Sequence, residues 1–208
     1  MFHFECIEHG RLYLKNMKKI FRIVFIITIL IEAVGMFGFL PIVQDFTWLG
    51  LFATFVFAWV MLELLQFSFH VWISVFFLLI LDVLSALLGL YSRVVNWDKF
   101  MHFWGGGMIA IAALEIILRI IEKEIINIKH SKTFIIINTF FSVTLLGFLY
   151  EFLEYLVDKI QYGYPKTLVD VYNSIEDQLC NLLGAAAVLV VYYTWKKRKN
   201  GLIVDKTK

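Results

Sequence analysis

This sequence predicts an all-α fold, a polytopic membrane helix bundle of about six transmembrane helices with both termini in the cytoplasm. Three observations predict it. Hydrophobic residues make up 61% of the chain and charged residues only 17%, against about a quarter in soluble domains. Six continuous apolar stretches recur along the 208 residues. The basic residues are divided unequally between the connecting segments.

A hydrocarbon core of about 30 Å takes roughly 20 apolar residues at 1.5 Å each. Stretches near 20–40, 46–65, 69–90, 100–121, 134–157 and 175–195 meet that length. Each is a continuous run without alternation, and backbone groups in lipid must bond within their own segment, so helix is expected rather than strand. No Ser/Gly/Pro-rich linker and no internal repeat divides the chain, which reads as a single integral membrane domain, 1–208.

The first stretch follows Lys15, Lys18, Lys19 and Arg22 and has the outline of a signal peptide. Its apolar run is too long for an h-region and no A-x-A site follows, so it is read as a retained span. Pro41 sits where it ends a helix without breaking one. The second and third stretches are rich in Phe, expected to face lipid or pack. Glu63 and His70 flank the short turn between them and are expected to be solvated. The fourth carries Gly105-Gly106-Gly107, and the sixth Gly184-Ala185-Ala186-Ala187. Such small faces let helix backbones approach closely in lipid. Glu115 and Arg119, four apart on the fourth stretch, have the spacing of a structural ion pair.

Alternating spans place nearly all basic residues on one side. Of the 19 lysines and arginines, only Arg93, Lys99, Lys159 and Lys166 fall on the other. That bias puts the termini and the loop around Glu122–Lys132 in the cytoplasm, which makes the chain a multi-pass protein of the cytoplasmic membrane. Trp48, Tyr91, Trp97, Tyr162 and Tyr164 then lie near the outer interface, and Tyr192, Tyr193 and Trp195 near the inner one. Lys196 to Lys199 is the expected inner flank of a span and carries no nucleic-acid signature.

Ionisable groups within spans are costly, about 2.5–3.5 kcal/mol each at a helix centre, so their positions carry information. On this topology Glu32, Asp82, Glu151, Glu154 and Asp177 share one leaflet depth with His102. Asp98 and His102 are four apart, Glu151 and Glu154 three apart, and Asp177 and Asn181 four apart, so each pair shares a helix face. Taken singly, Glu154 and Asp177 also read as solvated helix ends, and His102 as an interfacial histidine. The coincidence of depth is what those plainer readings explain poorly. Carboxylates crowded at low dielectric require shared protons, a bound cation or a cationic substrate.

Asp98-Lys99-Phe100-Met101-His102-Phe103 resembles the D-K-x-x-H-F signature of VanZ-like membrane proteins. Asp177-x-x-x-Asn181-x-x-Gly184-Ala185 resembles their closing D-x-x-x-N-x-x-G-A element. Trp97–Gly106, Glu151/Glu154 and the Asp170…Asp177…Gly184 spacing are also similar to YjdF-type inner-membrane proteins. The chain departs from the VanZ-like pattern at Glu151 and Glu154, where E-x-x-Q is usual. The resemblance implies a role in the cell envelope and names no reaction.

Three function classes follow. In the first, Asp98, His102, Glu151, Glu154, Asp177 and Asn181 act on or bind a lipid or lipid-linked envelope component from the outer leaflet. His102, Glu151, Glu154 and Asp177 are then the candidate ligands of a divalent metal, with Mg²⁺ or Mn²⁺ favoured by the carboxylates and Zn²⁺ the alternative. In the second, a small proton- or cation-coupled transporter uses Glu32 and Asp82 as relays. In the third, a non-catalytic envelope protein holds a ligand at the outer surface.

Overall fold

A computed structural model describes residues 16–30, 46–123, 132–164 and 171–205, and the described residues form seven helices. These are α1 (residues 16–30), α2 (Phe46–Leu64), α3 (Phe69–Leu88), α4 (Leu90–Arg93), α5 (Trp97–Lys123), α6 (Lys132–Tyr162) and α7 (Val171–Asp205). They fall into two compact units, Met1–Leu88 and Gly89–Lys208.

The first unit packs α1 to α3 around aromatic rings. Phe25, Phe55 and Trp72 are fully buried. Phe25 meets Phe55 at 5.7 Å, Trp72 at 5.8 Å and Phe76 at 5.4 Å between ring centroids, within the range where offset and edge-on pairs add to burial. The Phe-rich stretches thus serve both expected roles, since Phe55 lies in the core while Phe57 and Phe77 face outward. Glu63 differs from the solvated flank its position suggests. It pairs with Arg22 at 2.5 Å, while Lys18 donates to the Phe67 carbonyl at 2.6 Å. Both cations also lie over the Trp72 ring. The basic end of α1 is therefore fastened to the α2–α3 turn.

In the second unit the chain turns at Gly89 and Asn96, both at positive φ, a conformation Gly and Asn adopt at least cost. It then runs through three long helices. Each contains a segment long and apolar enough to cross a membrane: Trp97–Glu122, Lys132–Ile160 and Tyr172–Arg198. The described apolar parts of α2 and α3, Thr54–Leu64 and Phe69–Ser85, are shorter. Phe141, Phe148, Leu153, Ile160, Leu183, Val190 and Val191 point away from the core. An apolar exterior of this extent belongs against lipid.

Packing among α5, α6 and α7 is layered. Ala113, Leu114, Ile117, Ile121, Ile135 and Leu189 fill one end, and Ala110, Val143 and Ala185 form a small-residue layer next to it. Beyond that layer the backbones come into contact. A Cβ on Gly106 would overlap the backbone of Asn181, and one on Gly184 would overlap the Phe103 carbonyl. On α6, a Cβ at Gly147 would stand 2.8 Å from both amide atoms of Gln178. By contrast, nothing lies within 4 Å of a Cβ at Gly105. Glu115 and Arg119 form the expected ion pair on α5.

Two glycines one residue apart should therefore respond oppositely to substitution. Gly106→Val is expected to lower stability in detergent by about 2 kcal/mol or more through overpacking, and Gly105→Ala to stay within about 0.5 kcal/mol of wild type. Thermal unfolding followed by intrinsic fluorescence checks the contrast. Equal melting temperatures for the two variants would contradict the close α5–α7 approach.

Candidate functional site

The polar residues gather at the end of the α5–α7 bundle where α5 and α7 begin. Helical spacing puts Asp98 and His102 on one face of α5, and Asn173, Asp177 and Asn181 on one face of α7. Glu151 enters from α6. Counting 1.5 Å per residue, His102 lies about 7.5 Å along its span from Trp97, Asp177 about 7.5 Å from Tyr172, and Glu151 about 13.5 Å from Ile160. The cluster thus sits inside one end of the spanning segments.

His102 is its centre. Its Nε2 lies 3.7 Å from Asp98 Oδ1, 3.7 Å from Glu151 Oε1 and 3.8 Å from Asp177 Oδ1. On the other side of the ring, Nδ1 lies 3.5 Å from the Asn181 side-chain nitrogen. Tyr150 stands edge-on to the imidazole at 6.0 Å. The side chains of His102 and Glu151 are each 8% exposed and that of Asp177 2%, whereas Asp98 is 46% exposed. Asp98 therefore forms the open side.

Lys99 supplies a counter-charge. Its Nζ donates to Asp177 Oδ1 at 2.7 Å, to Asn173 Oδ1 at 2.7 Å and to the Asn173 carbonyl at 3.2 Å. Asn173 Nδ2 donates to the other oxygen of Asp177 at 2.9 Å. Both oxygens of this buried carboxylate are thereby held in place. Glu176, on the exposed side, lies 3.4 Å from the same ammonium. Arg93, expected from the sequence to lie nearby, forms no ion pair among the described residues.

Several buried atoms here make no hydrogen bond of normal geometry among the described residues: Glu151 Oε1, Ser174 Oγ and both side-chain amide atoms of Gln178, although the Glu151 and Ser174 side chains lie close enough to interact. Buried polar atoms are almost always hydrogen-bonded, so unpaired ones gathered at one place mark a ligand or water position.

The residues predicted for the site are placed as follows. Asp98, His102, Glu151, Asp177 and Asn181 come together. Glu154 lies beside them, within electrostatic reach of Glu151, Asp98 and Asp177, with its side chain bonded to Tyr150 and in no ion pair among the described residues. Asp82 belongs to α3 of the first unit, and Glu32 and Asp170 lie outside the described residues. Sequence reasoning missed Asn173, Ser174, Gln178 and Tyr150. Asn173 was readable as the residue four before Asp177, extending the same face. Gly147 was the signal for Gln178, since a lone glycine in a helix marks a close approach.

An apolar exterior, three membrane-length helices and a buried polar end together define an integral membrane protein. Residues 16–198 match the model of a family described as predicted membrane protein (DUF2238), and the chain belongs to that family. Comparison with curated proteins and with solved structures returns no match.

The Lys99–Asp177 pair gives a stability test. Lys99→Met leaves a buried carboxylate without its cation and is expected to cost about 3–5 kcal/mol. Arg119→Met, at a half-exposed pair, should cost under about 1 kcal/mol. The double variant Lys99→Met with Asp177→Asn should recover much of the first loss. Denaturant titration in detergent reads all three, and additive losses in the double variant would contradict the pairing.

Proposed function

We propose that this chain is a multi-pass protein of the cytoplasmic membrane that binds or acts on a lipid or lipid-linked envelope component at the outer-leaflet end of α5–α7. Asp98, His102, Glu151, Glu154, Asp177 and Asn181 supply the recognition and acid–base groups. The observation that carries this reading is the position of the His102 cluster. It is buried on three sides, open at Asp98, and set about 7.5–13.5 Å inside the ends of three membrane-length helices. A lipid headgroup lies at that level, whereas a soluble substrate has to leave water to reach it.

Charge narrows the ligand. A set of carboxylates repels a bare phosphate and attracts an ammonium group, or a phosphate carried by a cation. His102, with its ring nitrogen among carboxylates, is suited to move a proton at a bound group, and Lys99 to steady an anionic oxygen beside Asp177. The motif likeness to VanZ-like and YjdF-type proteins supports the same envelope role. The transporter alternative leans on Glu32 and Asp82 and gains no observation from the described residues.

Native mass spectrometry of the detergent-purified chain, offered amine-headed and phosphate-only lipids in turn, tests the reading. Wild type is expected to retain one headgroup class, with retention falling tenfold or more in Asp98→Asn, a change at the exposed rim that leaves the fold intact. Equal retention of every lipid by both proteins would refute it.

Six spans with cytoplasmic termini complete the proposal, supported by the bias of the 19 basic residues under the positive-inside rule. Reporter fusions after residues 43, 67, 95, 127, 168 and 208 should alternate, with external signal at the first, third and fifth. Any pair of neighbouring fusions reporting the same side would overturn the six-span arrangement.

A further inference from the structure

We infer that His102 Nε2, Asp98, Asp177 and Glu151 form a binding site for one divalent transition-metal ion, Mn²⁺ or Zn²⁺. The inference stands on the site's own geometry, whether or not the ligand is a lipid headgroup.

Spacing is the first ground. The ligand atoms of Asp98, His102 and Asp177 all lie within 4.8 Å of one another. The three separations from Nε2, 3.7 to 3.8 Å, are too long for N–H···O bonds of about 2.7–3.2 Å. A tetrahedral ion with bonds of about 2.0–2.1 Å has ligand–ligand edges near ~3.3 Å. Each of the three carboxylates thus stands a few tenths of an ångström beyond metal spacing from Nε2, with Asp98, His102 and Asp177 the mutually close set and Glu151 the fourth ligand, drawn in when the ion binds.

Glu151 is the second and independent ground. Its side chain is more than nine-tenths buried and interacts with the Ser174 hydroxyl, yet Oε1, the atom aimed at His102, makes no hydrogen bond of normal geometry among the described residues. A buried carboxylate oxygen without a donor calls for a cation.

Charge agrees. Among the described residues Lys99 is the one fixed cation paired with these carboxylates, and Glu176 shares it, so the cluster carries an excess of negative charge that a dication offsets. An imidazole ligand then selects among dications, because Mg²⁺ and Ca²⁺ prefer oxygen alone while Mn²⁺ and Zn²⁺ accept both donor types. Asp98 thus takes the ligand position that the sequence suggested for Glu154, whose side chain turns to Tyr150.

The surroundings are those of oriented ligands. Lys99 and Asn173 hold the two oxygens of Asp177. With Nε2 on the metal, Nδ1 carries the ring proton and needs an acceptor. The Asn181 amide stands there, and turned end for end, a change that leaves its shape unaltered, it offers Oδ1. Asn181 is in this account a positioning residue.

The test uses the full chain in detergent, stripped with a chelator and dialysed against MnCl₂ or ZnCl₂. Elemental analysis is expected to find about one ion per chain, and pulsed EPR of the Mn²⁺ form to show coupling to an imidazole ¹⁴N that disappears in His102→Gln. Glu151→Gln should weaken binding tenfold or more, while Glu176→Gln, at an exposed neighbouring acid, should stay within threefold. Asn181→Asp, which keeps an acceptor, should hold the metal, and Asn181→Leu should weaken it tenfold or more. Absence of saturable binding in folded wild type would overturn the inference, as would bound Mn²⁺ without nitrogen coupling, a reading that requires no variant. Metal bound with no lipid retained sinks only the headgroup reading, and lipid retained without metal sinks only this one.

Discussion

The contact of α5 backbone with α7 backbone at Gly106 and Gly184 is the constraint on which the rest of the second unit depends. A side chain at either position would occupy space already filled by the other helix. Small residues at this crossing are the usual means of association in lipid, where apolar surface gives helices no hydrophobic reason to meet. His102 lies one turn before Gly106, and Asn181 one turn before Gly184. Bringing the glycines together therefore brings the imidazole, the amide and Asp177 together. The site is a by-product of the packing register, and a small displacement along the crossing would dissolve it.

Around that contact the bundle divides by polarity. One end is filled by Leu114, Ile117, Ile121, Ile135 and Leu189; the other holds an imidazole, three carboxylates and an ammonium. Groups of that kind are expensive to remove from water and are retained only when they compensate one another. Lys99 compensates Asp177 through a 2.7 Å bond, and Asn173 takes up the second oxygen. Glu151 interacts with Ser174, but its Oε1, facing His102, makes no hydrogen bond of normal geometry among the described residues. The same bundle end thus contains one carboxylate with both oxygens bonded and one with an oxygen left open.

Much of this was legible in the sequence because it depends on period alone. Asp98 and His102, and Asp177 and Asn181, share faces by their spacing of four, and the glycines following each pair announced the close approach. The helices α5, α6 and α7 run past their apolar stretches at both ends, whereas α2 and α3 stay within theirs. Stretch 175–195 became Val171–Asp205, since polar turns continue a helix outside the hydrocarbon where hydropathy no longer marks it. What period cannot supply is rotation. Glu151 and Glu154 were equal candidates along α6, and only the meshing of α6 with α5 turns Glu151 toward His102 and sends Glu154 to Tyr150. Glu63 escaped for a related reason. Its partner Arg22 lies far away in sequence, and nothing local distinguishes a paired acid at a turn from a wet one.

The length of α7 has a mechanical consequence. Its 35 residues make a rod of about 52 Å, well beyond a hydrocarbon thickness of about 30 Å. It is pressed against α5 at Gly184, which serves as a fulcrum. Asp177 sits about 10 Å along one arm, and the opposite arm is roughly three times as long. A tilt of about 5° at the fulcrum, within what hydrophobic mismatch imposes on a helix, swings Asp177 by about 1 Å. That is the difference between a carboxylate within reach of His102's neighbours and one beyond it. On this geometry a change of tilt at the long arm would be felt at the buried end.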